Sequence, residues 1–337
     1  MKFNAIIVIF SLLILSSCFK EDDPITPNPK PEKAVEIIPM TQYYTYQVYF
    51  DLASGEQVSS NPKDNFDLLF ASSDTGTLIK LNTATFMMAA ETAYNDFESV
   101  TDTAGLDWKF DKSDGSPDST ALYNWIQVSD SDTAYSEFVW VINRGIDDLG
   151  IHRGFKKAKF NSLDKNVYQF TYMNLDNSEP IDVYISKKSG YNYVQYSFTD
   201  QAEVDFEPER SAWDLLFTQY TTLLYTDAGD PYPYLVTGVL INEAGTLVAF
   251  DSTMVFDDVV LEDVIYLDYS DDLDAIGYDW KELYGDINSG DFYYKAQSNY
   301  NYFIRSKNGL FYKLRFIGFY DPETGEKGFP SFEYQRL

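Results

Sequence analysis

The sequence predicts an all-β protein built as two tandem β-sandwich-like domains of packed, twisted antiparallel sheets with few short helices. Three observations carry that expectation. Aromatic residues are dense, with 28 Tyr and 25 Phe in 337 residues, and aromatic side chains favour pleated, half-buried surfaces. Short apolar runs are separated by clusters of Gly, Asp and Asn, the residues that turn a chain. A long block of sequence recurs once at a fixed offset.

The chain opens with a processing signal. Lys2 supplies the positive charge, Ala5 to Leu15 form an apolar run broken by Ser11, and Leu15-Ser16-Ser17-Cys18 follows. This is the order of a secretory signal, and the run is shorter than the roughly 20 residues that span a bilayer. Small residues directly before a cysteine resemble the lipobox of bacterial lipoproteins, whose cysteine is acylated and becomes the first mature residue. Residues 1–17 are therefore expected to be a signal peptide and Cys18 a lipid anchor. Cys18 is the only cysteine, which excludes a disulfide within the chain. The following Phe19-Lys20-Glu21-Asp22-Asp23 resembles the export signal of surface lipoproteins of Bacteroidetes-type bacteria. Pro24 to Lys33 is proline-rich and suits an extended spacer. Residues 18–34 thus read as a tether that holds the body off the outer membrane at the cell surface.

Charge excludes one class of partner. The chain carries 25 basic and 53 acidic residues, a net charge of −28. A field of that sign repels nucleic acid and disfavours flat adsorption on anionic lipid.

The repeat sets the expected organisation. YYTYQVYFDLASGEQVSSNPKDNFDLLF, ending at Phe70, aligns without a gap with GYNYVQYSFTDQAEVDFEPERSAWDLLF, ending at Phe217, at an offset of 147. Gly105-Leu106-Asp107-Trp108-Lys109 then matches Gly277-Tyr278-Asp279-Trp280-Lys281. Lys157 to Phe160 resembles Lys313 to Phe316, and Phe170-Thr171-Tyr172 resembles Phe332-Glu333-Tyr334. Domains at 35–175 and 182–337, joined by a linker at 176–181, are expected from this correspondence.

Within the blocks, Tyr44 to Gln47 alternates apolar and polar as a half-buried strand does. Trp213 to Phe217 reads as a strand buried on both faces, and Val236 to Ile241 as a strand turned by Asn242-Glu243-Ala244-Gly245. Tyr302 to Arg305, the turn Lys307-Asn308-Gly309 and Phe311 to Phe316 form a hairpin, with Asn-Gly suited to a type I′ turn. A last strand passes through Phe332 and Tyr334. Short helices are expected within Thr83–Val100 and Asp271–Leu283.

WDLLFTQY, YLVTGVLIN, IGYDWK and YFIRSKNGLFYKLRFIGFYDPETGEKGFPSFEY resemble the HmuY family of haem-binding surface lipoproteins, from about Tyr191 to Leu337 and less closely over the first copy. The resemblance implies two tandem family-like β domains that take up haem and pass it to a partner, a TonB-dependent haem receptor. It also implies iron held by two histidines or, in some members, by methionines. His152 is the only histidine, so bis-histidine ligation within the chain is impossible. Thioether ligation is chemically sound. Met87, Met88, Met254 and His152 are the candidate ligands. Each has a plainer reading: methionines fill cores, and His152 lies in a Gly-flanked turn. Arg144, Arg153, Lys156, Lys157 and Lys159 form the local basic stretch that suits the haem propionates. Arg305, Lys307, Lys313 and Arg315 read as a solvated strand face.

The rival function is glycan binding through exposed aromatics. Trp213 and Trp280 sit beside apolar repeat residues and are expected in the core, whereas Trp125 is the candidate for an exposed platform. Asp111 to Gly115 and Asp268 to Asp274 invite calcium without matching an EF-hand. No Gly-x-Ser-x-Gly, P-loop, dinucleotide or HExxH motif occurs, so a non-enzymatic binding protein is expected. Replacing Cys18 with Ala is expected to leave the protein soluble after cell fractionation; continued membrane association of Cys18→Ala would overturn the anchor.

Overall fold

The computed structural model describes residues 32–129, 132–286 and 289–337. The signal peptide, Cys18 and almost all of the tether lie outside these residues.

Among the described residues there are twenty-two strands. The first three are β1 (Ala34–Ile37), β2 (Tyr46–Asp51) and β3 (Glu56–Pro62). Eleven follow: β4 (Leu68–Ala71), β5 (Ile79–Leu81), β6 (Met88–Glu91), β7 (Ile126–Val128), β8 (Thr133–Tyr135), β9 (Trp140–Asn143), β10 (Phe155–Asp164), β11 (Val167–Met173), β12 (Ile181–Ser186), β13 (Tyr193–Ser197) and β14 (Ala202–Val204). The last eight are β15 (Leu215–Tyr225), β16 (Pro231–Ile241), β17 (Leu247–Asp251), β18 (Lys281–Asp286), β19 (Asp291–Ala296), β20 (Asn301–Arg305), β21 (Phe311–Tyr320) and β22 (Lys327–Arg336).

Four sheets carry the fold. One sandwich packs the sheet β12-β11-β10-β9-β6 on the sheet β14-β13-β4-β5. Its core joins Phe70, Leu68 and Tyr196 to Phe160, Phe170 and Tyr172 across the two layers. The other sandwich packs β1-β22-β21-β20-β17 on β16-β15-β2-β3, with Phe50 and Phe217 meeting Phe332 and Phe316. Each large side chain withdrawn from water in this way contributes about 2 kcal/mol. The four-stranded sheets are the inner layers: Leu69 and Tyr193 from one line the same cavity as Leu216 and Leu240 from the other.

The pairing runs across the boundaries expected at 35–175 and 182–337. β1 adds to β22, and β2 pairs with β15 through Val48 opposite Phe217. Conversely, β12 adds to β11, and β13 pairs with β4 through Val194 opposite Phe70. Residues 34–62 therefore complete the sheets of the C-terminal half, and residues 181–204 complete those of the N-terminal half. The repeated blocks occupy corresponding places in the two sandwiches, but each lends its hairpin to the other.

Two buried aspartates from the repeated Asp-Leu-Leu-Phe blocks hold these crossings. Asp67 donates its N–H to Tyr196 O at 2.8 Å and accepts the Phe198 N–H at 2.8 Å. Its carboxylate takes Arg144 Nε at 2.8 Å and Nη2 at 3.0 Å, with Arg153 Nη2 at 3.3 Å. Asp214 donates to Phe50 O at 2.9 Å and accepts Leu52 N–H at 3.1 Å, Thr246 Oγ1 at 3.2 Å and Lys307 Nζ at 3.1 Å. Beside them, Asn82 Nδ2 donates to Lys63 O and Phe66 O. Asn242 Nδ2 donates to Arg210 O and Trp213 O, the residues 147 positions on.

Helices among the described residues are few and short, as expected, but not at the two segments expected to hold them. Within Thr83–Val100 the chain makes one 3-10 turn (Thr83–Thr85) and then β6. Phe86 takes a left-handed φ of 62°, which ends the turn, and the apolar Met87 to Ala90 run enters a sheet. The expected helix at Asp271–Leu283 is replaced by turns, a bridge that pairs Gly277 with Val239, and the start of β18. Among the described residues the α-helix lies earlier, at α1 (Leu261–Val264). The β20–β21 hairpin forms as expected, but its loop closes from Ser306 N to Leu310 O. Only Gly309 in that loop is left-handed, at φ 75°, whereas a type I′ turn needs two such residues.

Replacing Asp67 with Ala strands Arg144 and Arg153 in the interior. The expected loss is about 3–5 kcal/mol by chemical denaturation, the usual cost of breaking a buried ion pair on one side. A loss below about 1 kcal/mol would contradict the pinning role.

Candidate functional site

The structure brings two of the four expected ligands to one face and separates the others. Met87 is 0% exposed and packs in the core of the first sandwich. Met88, the next residue, starts β6 and stands opposite Asn143 of β9. Phe155 of β10 stands opposite Asn143 on its other side, so Met88, Asn143 and Phe155 share a face. His152 is exposed in its turn. Its Nε2 lies 2.9 Å from Asn143 Oδ1, and its Nδ1 accepts the Gly154 N–H at 3.1 Å. The ring proton therefore sits on Nε2, and both nitrogens are engaged. Met254 is in the other sandwich, half-buried against Val259, Val264 and Phe303. Its N–H donates to Asp251 Oδ1 at 2.7 Å.

The basic groups expected on the surface turn inward. Lys157 is 0% exposed, and its Nζ donates to the carbonyls of Phe97, Val100 and Leu175 at 2.7–3.1 Å. Lys313 is its counterpart: 1% exposed, donating to Phe256 O at 2.7 Å and Val259 O at 3.1 Å. Lys307 reaches Asp214 and Asp51. The solvated face read from Lys307 and Lys313 is thus corrected: both are tied to buried acceptors. Arg144 and Arg153 serve Asp67, and Lys159 donates to Asn95 O at 3.0 Å. These residues build the fold and leave no cationic rim there.

A cleft that sequence reasoning passed over lies next to the Met88 face. It measures about 470 Å³ and is lined by Trp108, Lys109, Phe110, Lys112, Tyr123 and Leu223, among others. Three devices build it. Ala89 and Lys109 exchange N–H···O bonds at 2.8 and 2.9 Å, which ties the 108–110 segment to the edge of β6. Asp111, fully buried, accepts the N–H groups of Leu81 and Ala121, each at 2.7 Å. Burial nevertheless pushes its carboxyl up to about 6, the two bonds opposing. Trp125 then anchors the far wall: it is 2% exposed, and its Nε1 donates to Thr77 O at 2.9 Å. The expectation of Trp125 as an exposed platform is thereby corrected, because its ring fills the core beside Phe160 and Tyr168. The short turn Tyr123–Trp125 leaves Tyr123 facing out, 50% exposed.

The repeat explains why the cleft sits in one half. Trp280 is 0% exposed and stacks on Phe316 at 4.0 Å, whereas its sequence counterpart Trp108 is half-buried, 6.0 Å from Phe155, and open to the cleft. The available signal was the alternation Trp108-Lys109-Phe110-Asp111-Lys112, which puts Trp108, Phe110 and Lys112 on one side and Lys109 and Asp111 on the other. Such walls suit a flat apolar ring that carries anionic groups: aromatic faces stack on the ring and ammonium groups meet the charge.

Among the described residues no group of three or more His, Cys, Asp or Glu side chains is placed to hold a metal ion, so the calcium expectation at Asp111–Gly115 finds no cluster. No helix among them is long and apolar enough to cross a membrane.

Comparison with known proteins gives one family match. The HmuY protein family model matches residues 43–334, running through both halves as one unit without dividing the chain into two family copies. No curated protein matches. Among solved structures, the apo HmuY analogue of Tannerella forsythia shares 17% identity, covering 44% of this chain and 97% of that one, with a TM-score of 0.22. Apo PinO from Porphyromonas gingivitis shares 11%, covering 91% and 97%, with a TM-score of 0.29. A protein of Bacteroides vulgatus described as HmuY-like and heme-binding shares 15%, covering 53% and 90%, with a TM-score of 0.18. These superpositions are partial. The family match extends over most of the sequence, and on that ground the chain belongs to the HmuY family.

Proposed function

We propose that this protein binds haem or a related porphyrin in the cleft beside Trp108 and Tyr123, without catalysis, as a lipid-anchored lipoprotein of the outer membrane that faces the cell exterior. The observation that carries the reading is the cleft itself: about 470 Å³, with three aromatic walls and two lysines. That size falls within the range of small-molecule and cofactor sites. Trp108 and Phe110 offer faces for the macrocycle, and Lys109 and Lys112 offer charge to its propionates. The Tyr123 hydroxyl is the iron ligand in this account, since phenolate is an established axial ligand for haem iron. Family membership supports the same reading. A receptor of the TonB-dependent class then takes the haem onward.

One observation favours a glycan instead. Tyr284 and Tyr293 stack at 5.8 Å with 20° between their planes on the β18–β19 hairpin, and both are exposed. Such a pair can stack on a sugar ring.

Titration of the purified protein with haemin, followed at the Soret band, separates the two. A saturable Soret shift is expected, lost or moved in Tyr123→Phe. Lys109→Ala and Lys112→Ala are each expected to weaken affinity by about tenfold, the worth of one charge-assisted contact. Met88→Ala and His152→Ala are expected to leave it unchanged. No shift under oxidising or reducing conditions, with binding on a glycan array abolished by Tyr293→Ala, would replace haem by the glycan.

A further inference from the structure

A second, smaller cavity lies where the two inner sheets face each other. It measures about 130 Å³, comparable with an engineered cavity of roughly 150 Å³ that takes up benzene. Leu69 contributes from one inner sheet and Leu216 and Leu240 from the other, with Phe66, Trp213 and Leu273 closing the apolar walls. At this size a porphyrin is excluded, so the site is distinct from the cleft, with which it shares the lining residues Lys112 and Thr120.

The charged groups within the wall are already engaged. Asp111 accepts two backbone N–H groups. Glu243 accepts Tyr193 Oη at 2.7 Å and Lys80 Nζ at 3.1 Å. Glu207 accepts Asn192 Nδ2 at 2.9 Å, and burial pushes its carboxyl up to about 8, which leaves it protonated at neutral pH. Lys112 stands exposed at the mouth. What remains unmet is hydrogen-bond donors. Trp213 Nε1 and Tyr220 Oη both belong to residues that line the cavity, 5% and 1% exposed, and neither has a hydrogen-bond partner among the described residues. A buried donor without an acceptor is costly, and native structures meet such groups with water or a ligand. Walls this apolar favour a ligand whose body is apolar too.

We infer that this cavity binds one small, uncharged, ring-sized molecule that carries a hydrogen-bond-accepting oxygen, of the class of phenol. Lying between the sandwiches, it bonds to the Trp213 indole and packs against leucines from both inner sheets. A charged ligand is disfavoured because no unpaired charge within the wall awaits it.

The test uses the whole soluble body, the Cys18→Ala chain, with phenol and toluene as probes. Toluene has the same size without the oxygen. In a titration followed by the indole N–H resonances, phenol is expected to shift the Trp213 signal saturably. That signal is assigned by its loss in Trp213→Phe. Phenol is expected to bind about fivefold tighter than toluene, the worth of one hydrogen bond, and Trp213→Phe to remove that preference while keeping toluene binding. Should Trp213→Phe not fold, thermal melts of the unsubstituted body decide: phenol is expected to raise Tm more than equimolar toluene. Equal effects of the two probes would overturn the proposed ligand class. No saturable response to either would overturn the site.

Discussion

Asp67 and Asp214 each sit where a strand from one half of the sequence enters a sheet built by the other, and the architecture follows from what they hold there. Both are fully buried. Each anchors the incoming strand through its own N–H and its carboxylate, and each takes a cation from the outer layer of the same sandwich: Arg144 from the end of β9, Lys307 from the end of β20. A buried carboxylate without such partners would cost several kcal/mol. The pair therefore ties three things at one point: the incoming strand, the home strand and the second layer. Without the exchange, each inner sheet would lose a hairpin, and Phe50 or Tyr196 would lose its place in a core.

The sites depend on this arrangement. Exchanging hairpins brings the inner sheets face to face, which creates the small cavity between Leu69 and Leu216. The cleft arises differently. It uses the 105–125 segment, pinned by Asp111 and Trp125, in the sandwich where Trp108 is free of the core. In the other sandwich the same sequence block sends Trp280 inward onto Phe316. A shared scaffold thus presents a cleft in one half and a filled core in the other, and the proposed binding cleft lies in the half in which packing released an aromatic side chain.

Much of the fold was legible. Aromatic density and turn spacing identify an all-β chain, and the β20–β21 hairpin stands in its predicted place. The repeat showed which residues are equivalent, such as Asp67 and Asp214. Equivalence does not say which copy a strand pairs with, because a hairpin serves either sheet with the same alternation of faces. Lys157 and Lys313 defeated composition for a similar reason. A lysine on a strand reads as solvent-facing unless loop carbonyls close over it, and those of Phe97, Val100, Phe256 and Val259 come from segments with no periodic signal. The ligand candidates were chosen by chemistry alone. Of them, the strand register moved Met87 into the core and Met88 out, and hydrogen bonding occupied both nitrogens of His152. Tyr123 carried no signal, since its exposure follows from the burial of Trp125 two residues later.

The exchange of hairpins is the claim on which the rest stands, and two fragments test it. A chain of residues 63–209 holds all nine strands of the first sandwich, including the three that the second half lends it, β12, β13 and β14. A chain of residues 35–175 follows the repeat boundaries but lacks β12, β13 and β14. The account predicts a cooperative thermal melt with near-UV aromatic signal for 63–209 and neither for 35–175. Cooperative unfolding of 35–175, with 63–209 lacking it, would contradict the account.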